Sequence, residues 1–288
     1  MGRLSEITDD LLAWGLPRLR EFPWRATRDP WHVLVSEVML QQTNVGRVQA
    51  RFERFVAIAP DPAACAVAPL SDLLVEWQGM GYPRRCRNIQ EAARAIVERH
   101  GGVVPRDLES LMALPGIGPY TARAILAFAF GDDAAVVDTN VARVLARVEG
   151  RALKPRESQQ TADVLVPRGM SREWNQVIMD FGATVCNARR PQCGSCPIES
   201  TCGWHGIGDD PAQRTAFTSR PQGRFEGSDR QARGRLMKAL TNGTVASTAI
   251  AEVMSVDTDR AERLAASLVS DGLVELREGH YRLSGGRK

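Results

Sequence analysis

A mainly α-helical protein ending in a small winged helix-turn-helix is what this sequence predicts, on three observations. From the N terminus to about residue 205, apolar residues recur at spacings of three and four, and no stretch keeps the alternation of a sheet. An aperiodic segment rich in Gly, Pro and Arg, "GIGDDPAQRTAFTSRPQGRFEG", then spans 206–227 and reads as a linker. Beyond it come three short helical segments and "LVELREGHYRL", which alternates around "EG" as a hairpin does.

In chain order, "MGRLSEITDDLLAWGL" contains acids and lacks a signal-peptide cleavage pattern. "WHVLVSEVMLQQTNV" predicts a helix whose apolar run from Val33 to Leu40 is interrupted by Glu37. "SDLLVEWQGM", "NIQEAARAIVERH" and "TARAILAFAF" carry helical periodicity. "SDLL" and "RDLESLMALP" begin with polar capping residues, and the latter stops at proline. "AVVDTNVARVLAR" places Asp138 ahead of an amphipathic helix with Val141, Val144, Leu145 and Val148 on one face. After the linker, "DRQARGRLMKAL", "STAIAEVM" and "DTDRAERLAASLVSDG" are the three helices of the winged domain.

The 288 residues allow two or three domains. With 43% hydrophobic and 25% charged residues the chain has the composition of a soluble globular protein. No apolar run reaches the ~18–20 residues of a membrane span, so a cytoplasmic protein with no membrane partner is expected. A net charge of +3 is weak support for a nucleic-acid partner.

Four motifs carry chemistry. In "LPGIGPYTA", Gly116 and Gly118 permit backbone angles and close approach that a side chain would forbid, and Pro119 suits the first turn of a following helix. This helix-hairpin-helix pattern either is a plain interhelical turn or offers amides to a phosphate. Asp138 is a favoured N-cap residue; a capped carboxylate is expected to have a depressed pKa and stay ionised, so capping and catalysis are compatible. Glu37 is either a partly exposed helix glutamate or a buried carboxyl that keeps its proton, the state a general acid needs. Gln42 and Thr43 behind it are ordinary surface, or groups that bond base edges or wedge into a duplex.

Cys186, Cys193, Cys196 and Cys202 form C-x6-C-x2-C-x5-C, and a cytosolic chain seldom keeps disulfides, so the cluster points to metal. Zinc competes: paired C-x2-C knuckles would suggest it, whereas one C-x2-C between longer loops fits a four-iron, four-sulfur (4Fe-4S) cluster better, and spacing alone does not settle the metal.

Together the glycine turn, the downstream aspartate and the cysteine spacing resemble the endonuclease III superfamily of helix-hairpin-helix DNA glycosylases, over residues 8–205. Within it, "FPWR", "SEVMLQQT", "GMGYPRRCRNI", "LPGIGPYTARAI" and "VVDTNVARVLAR" resemble, one after another, the motifs of the adenine DNA glycosylase (MutY) group. The resemblance implies base-excision repair of adenine mispaired with 8-oxoguanine or guanine. It implies Glu37 as the acid that protonates adenine, Asp138 as stabiliser of the sugar cation, and Tyr120 and Asn140 holding them in place. Members that also cut the strand carry lysine where this chain has Tyr120, so a monofunctional glycosylase is implied. Tyr120 is also familiar in thymine/guanine mismatch glycosylases, which remain the alternative; Glu37 favours adenine. A DNA-binding regulatory protein without catalysis is the alternative of another class.

By the same carry-over Gln42 and Tyr82 enter the opened duplex. Trp24, Arg25, Met80 and Gln176 contact substrate, with Thr43. Leu114, Gly116 and Gly118 belong to the hairpin that holds DNA, and the four cysteines hold a 4Fe-4S cluster. The partner implied is double-stranded DNA containing a mismatch, bound by a monomer in the bacterial cytoplasm, at the nucleoid.

The implied architecture is two-lobed. Residues 22–131 form a helical lobe ending in the hairpin, and 1–21 with 132–205 form a second lobe carrying the cluster, with the DNA cleft between. The linker 206–227 then leads to a winged-helix domain over 228–284. Here the chain departs from group members with a Nudix-like C-terminal domain and resembles short actinobacterial ones. The third helix of that domain has only Arg260 and Arg263 as basic residues beside Asp257, Asp259 and Glu262. Arg224, Arg230, Arg233, Arg235 and Lys238 gather instead before and within the first helix. The domain is therefore expected not to read sequence through its third helix. It should steady the duplex through the Arg230–Lys238 face or pack against the helical lobes.

Overall fold

A computed structural model describes residues 2–215 and 223–286. In chain order the helices are α1 (Gly2–Gly15), α2 (Pro23–Ala26), α3 (Pro30–Leu40), α4 (Val45–Ile58), α5 (Pro62–Val67), α6 (Leu70–Glu76), α7 (Arg84–His100), α8 (Leu108–Met112), α9 (Pro119–Ile125), α10 (Thr139–Glu149), α11 (Pro155–Leu165), α12 (Ser171–Thr184), α13 (Asp229–Leu240), α14 (Ile250–Met254) and α15 (Thr258–Ser270). The strands are β1 (Val245–Ala246), β2 (Val274–Arg277) and β3 (His280–Leu283). The chain is mainly helical, as the periodicity predicts.

Local chemistry sets several boundaries. Asp107 caps α8, accepting from the Ser110 N–H at 2.8 Å. Ser71, expected to cap its helix, lies inside α6, whose N-cap is Pro69. The segment "TARAILAFAF" is not one regular helix, because α9 passes into a π-helical turn over Leu126–Phe130 that stops at left-handed Gly131.

The contacts group the chain into two units. One gathers Met1–Val33, Arg106–Met112 and Ile117–Arg220; the other gathers Leu34–Pro105, Ala113–Gly116 and Pro221–Lys288. In the first, Ile7 and Leu11 of α1, the Val141, Val144, Leu145 and Val148 face of α10, and Trp174, Val177 and Phe181 of α12 form one core. The stripe read from the sequence is thus the packed face of α10. Gly182 lets α12 approach α10 closely, since a Cβ there would lie 2.9 Å from that of Asn140.

In the second unit α7 buries Cys86, Ile89, Ala93 and Ile96, and Phe55 meets Trp77 edge-on at 5.8 Å. The winged domain has its three helices and the wing, and it also gains β1, giving an antiparallel sheet in the order β1-β3-β2. Leu276 pairs with Tyr281 and Val274 with Leu283. The wing turns at Glu278 and Gly279, both left-handed at φ 47° and 73°, which matches strand twist. This domain packs on α6 and α7. Gln78 donates to the Met237 carbonyl at 3.2 Å, Ser71 to that of Gly285 at 3.4 Å, and Arg87 to that of Asp271.

The aperiodic stretch after 205 is not featureless. Residues Pro211–Arg214 form a 3₁₀ turn, Ala212 is buried, and the Thr215 hydroxyl accepts from the Leu153 N–H at 3.2 Å. Its anchor is Asp210, whose carboxylate grips the Arg147 guanidinium through 3.1 and 2.7 Å bonds. Arg147 is 1% exposed in its side chain, and a buried cation demands a counter-charge. Residues 216–222 of the expected linker lie outside the described residues.

Asp210→Ala should therefore lower the unfolding free energy by about 3 kcal/mol, because it leaves Arg147 buried and unpaired. Despite burial, the Arg147 guanidinium holds the Asp210 carboxyl below its ordinary 3.8. The pair's stabilisation should be complete above that value and be lost on acidification below it. Urea unfolding of parent and variant against pH checks both statements.

Candidate active site

The glycine turn connects α8 to α9. Gly116 is left-handed at φ 78°, and a Cβ there would meet the Asn88 side chain of α7 at 2.7 Å, so only glycine fits. Gly118 differs from the expectation. Its φ of −98° is open to any residue, and a Cβ would enter open space. Its role is that of an uncluttered N-cap ahead of Pro119 at the first position of α9, where the missing N–H costs nothing. Leu114 is buried beneath the turn and Tyr120 is half-buried in the first turn of α9.

Asp138 caps α10. Its Oδ1 accepts from the Val141 N–H at 2.7 Å and its Oδ2 from the Asn140 amide at 3.0 Å. Asn140 is held in turn by Arg143, which donates to its Oδ1 at 2.8 Å, to the Gly182 carbonyl at 2.6 Å and to the Cys186 carbonyl at 2.9 Å. A continuous chain of hydrogen bonds thus links the half-buried carboxylate to the start of the cysteine loop. The expected depression of its pKa is not what results. Burial pushes the Asp138 carboxyl above its ordinary 3.8, against the hydrogen bonds from Val141 and Asn140 that pull it down.

Glu37 lies in the second unit, on α3, and is 5% exposed. Leu34, Val35, Val38 and Met39 around it on that helix are all buried. Glu37 is thus buried and not a partly exposed helix glutamate.

Past the end of α3, Gln42 is exposed and left-handed at φ 54°, and Tyr82 is 38% exposed and left-handed at φ 48°. Such angles are costly for residues with a Cβ, and they collect at functional sites. One side chain fixes both loops. Arg85, buried on α7, donates to the carbonyls of Val38 at 2.9 Å and Met39 at 3.0 Å, and to that of Gln41. Its other nitrogen reaches the Thr43 hydroxyl at 2.8 Å and the carbonyls of Met80 and Gly81 at 3.1 and 3.0 Å. Burial lowers its pKa to about 10, so it stays cationic at neutral pH. Sequence reasoning missed Arg85. The available signal was an arginine four residues before Ile89, on the apolar face of α7. Met80 is buried below this loop.

The "FPWR" segment sits in the first unit. Trp24 stacks on Phe22 at 5.0 Å, and Arg25 is bound to Asp180 of α12 at 2.7 and 3.0 Å, beside Arg20. Although Asp180 is buried, the two arginines hold its carboxyl below the ordinary range. Arg25 thus ties the segment to α12, the helix that also carries buried Gln176.

All four clustered cysteines line one solvent-open pocket, together with Trp204 and His205. Among the described residues no three His, Cys, Asp or Glu side chains meet as ligands of a single metal ion. Donors are directed at the sulfurs: the Arg147 guanidinium lies 3.4 Å from Cys186 Sγ, and the His205 N–H 3.4 Å from Cys202 Sγ. Arg147 also packs over Trp204 at 4.6 Å. A cavity ringed by four sulfurs with N–H donors turned to them suits thiolate ligation of a cluster. Arg143 and Arg147, one turn apart on α10, were also missed; their signal is two cations within a helix otherwise apolar.

Residues 35–168 match the HhH-GPD superfamily of base excision DNA repair proteins. The chain is 40% identical over 286 residues to the adenine DNA glycosylase of Mycobacterium tuberculosis, an alignment covering 96% of this chain and 93% of that protein. To the adenine DNA glycosylase of Homo sapiens it is 42% identical over 217 residues, covering 69% of this chain and 40% of that protein. Among solved structures, a thermostable thymine-DNA glycosylase superposes with a TM-score of 0.68 at 32% identity, covering 70% of this chain and 96% of its own. Endonuclease III in a non-covalent DNA complex superposes with a TM-score of 0.62 at 28% identity, covering 69% and 93%. The chain belongs to the adenine DNA glycosylase family of the HhH-GPD superfamily.

Asn140→Ala removes one of the hydrogen bonds that favour the ionised Asp138. The Asp138 pKa, already above 3.8, should rise further, while Asn242→Ala, at an exposed position of the C-terminal domain, should leave it in place. Titration of the carboxyl carbon by NMR checks the direction.

Proposed function

We propose that this member of the family is a monofunctional DNA glycosylase that hydrolyses the N-glycosidic bond of adenine mispaired with 8-oxoguanine or guanine, in the bacterial cytoplasm. The observation that carries this reading is the pair of carboxylates in unlike surroundings: Glu37 within an apolar helix, Asp138 at a helix N-terminus. The target adenine must leave the base stack, at a cost of about a few kcal/mol that is smaller at a mismatch. Gln42 and Tyr82 occupy the opened duplex, presented by the loops that Arg85 fixes.

In the mechanism Glu37 donates a proton to a ring nitrogen of adenine. The bond to C1′ breaks, its electron pair leaves with the neutral base, and positive charge develops on the sugar. Asp138 faces that charge. A carboxylate partly shielded from water attracts a neighbouring cation more strongly than a fully solvated one, so the burial that raises its pKa also strengthens this stabilisation. Asn140 and Arg143 keep the carboxylate oriented. Water then adds at C1′ and its proton returns to Glu37, a division of labour shared with glycoside hydrolysis. Tyr120 offers no amine, so the product is an intact abasic strand. The four cysteines suit a 4Fe-4S cluster, which would cross-link the loop from 186 to 202. A thymine or uracil glycosylase at guanine mismatches is the second reading, favoured by the resemblance to the thymine-DNA glycosylase structure. Thymine needs no such acid, and Glu37 weighs against it.

Glu37→Gln cannot donate the proton and should lower single-turnover adenine excision by a factor of about a hundred or more, as should Asp138→Asn through loss of charge stabilisation. The assay is strand breakage on alkali treatment of duplexes bearing each mismatch. Excision of thymine instead of adenine would reverse the assignment, and strand breakage without alkali would refute monofunctionality.

Purified protein should contain iron and sulfide and no stoichiometric zinc, with thiolate-to-iron absorbance near about 400 nm. Cys196→Ala should bleach that band. Elemental analysis showing zinc alone would replace the cluster with a zinc site.

A further inference from the structure

The winged-helix domain does not offer DNA the surface on which such domains ordinarily rely. Both arginines of α15 are taken by Asp229. Arg260 reaches it at 2.7 Å and Arg263 at 3.6 Å, and Arg260 also donates to the Gly227 carbonyl at 2.8 Å. The exposed Asp259 and Glu262 would repel phosphate. The end of α15 is occupied by α7, since Asp271 binds Arg87 through its carbonyl and Arg84 through its carboxylate at 3.6 Å. Behind β3, Gly285 lies so near α6 that a Cβ would meet the Leu70 nitrogen at 3.0 Å. Third helix and sheet serve to dock the domain.

That docking brings the first turn of α13 to Tyr82. Arg230 donates to the tyrosine hydroxyl at 3.3 Å and to the Gly223 carbonyl at 3.3 Å, and its guanidinium lies over the Phe225 ring at 5.3 Å. Tyr82 has a strained backbone and is 38% exposed, and the Arg85 guanidinium lies over one face of its ring at 5.5 Å. A hydrogen bond at the hydroxyl fixes the ring's direction from its far end. It also spends the rotamer entropy before DNA arrives.

We propose that Arg230 is a positioning residue for Tyr82, so that the C-terminal domain sets up the duplex-entering tyrosine that precedes α7 and takes part in mismatch recognition through it. The inference rests on the reading of Tyr82 as the residue that enters the duplex. Arg230 performs by contact within one chain what a separate lesion-reading domain would do by touching the lesion.

The test uses the full chain and four variants, Arg230→Ala, Arg230→Lys, Tyr82→Phe and Tyr82→Ala, with matched and mismatched duplexes carrying 2-aminopurine beside the mispair. Arg230→Ala should weaken binding of the mismatched duplex about tenfold, the size of one charge-assisted hydrogen bond, and that of the matched duplex by less than about twofold. It should also diminish the fluorescence rise that reports unstacking, and Arg230→Lys should restore part of both. In the Tyr82→Phe background the further effect of Arg230→Ala should vanish, because the hydroxyl it acts through is gone. Equal weakening for both duplexes, additive with Tyr82→Phe and accompanied by a shallower salt dependence, would make Arg230 a plain phosphate contact and overturn the proposal. If Tyr82→Ala itself left mismatch binding and fluorescence unchanged, the reading of Tyr82 would fall first. A loss with Tyr82→Ala but none with Arg230→Ala would leave that reading standing and remove the inference alone.

Discussion

A helical protein that builds its site from loops must find donors for backbone carbonyls that no helix satisfies, and buried guanidiniums meet that need here. Arg85 serves the carbonyls at the end of α3 and in the 80–81 turn. Arg143 and Arg147 serve the first residues of the cysteine loop. Arg172 serves Phe128, Arg25 and Thr27. Each guanidinium has a planar fork of donors and stays cationic, so it can bind several carbonyls at once. Desolvating it is costly, and that cost makes each arrangement all-or-none: remove a partner and a buried charge is stranded. The loops carrying Gln42, Tyr82 and Cys186 are therefore held with a rigidity their lack of secondary structure would not suggest.

The two carboxylates show how the same functional group is given two unlike settings. Glu37 gains its setting from a largely apolar helix, Asp138 from a helix terminus and an amide oriented by Arg143. In Asp138 two opposing effects meet. The hydrogen bonds favour its charge, burial opposes it, and burial prevails. A poorly solvated carboxylate held still by fixed donors is what stabilisation of a developing cation requires, because no reorganisation is then needed as the charge appears.

The C-terminal domain illustrates the separation of fold from use. Its helices, wing turn and sheet follow the winged-helix plan, yet its charges are spent internally and against α7. Asp229 pairs with both arginines of the third helix, and Asp271 receives two arginines of α7. Even a glycine takes part, as a Cβ on Gly272, at φ 64°, would meet the Arg87 guanidinium at 2.5 Å.

By itself the sequence determined what is local or periodic. Helical spacing along most of the chain, the alternation around "EG", Pro119 at a first helical position and the Asp138 cap are properties of neighbours within a few residues, and these stand in the structure. What only tertiary structure decided is how charges are paired across long separations. Asp210 lies in a stretch with no period, and nothing nearby in the chain reveals that Arg147, sixty-three residues earlier, is buried against it. The same holds for Arg85 and the two loops it joins, for Asp180 and Arg25, and for the burial that raised the Asp138 pKa instead of lowering it. Periodicity reports which face of an element is apolar. It carries no information on which distant partner will share the low-dielectric space, and that partner fixes the electrostatics.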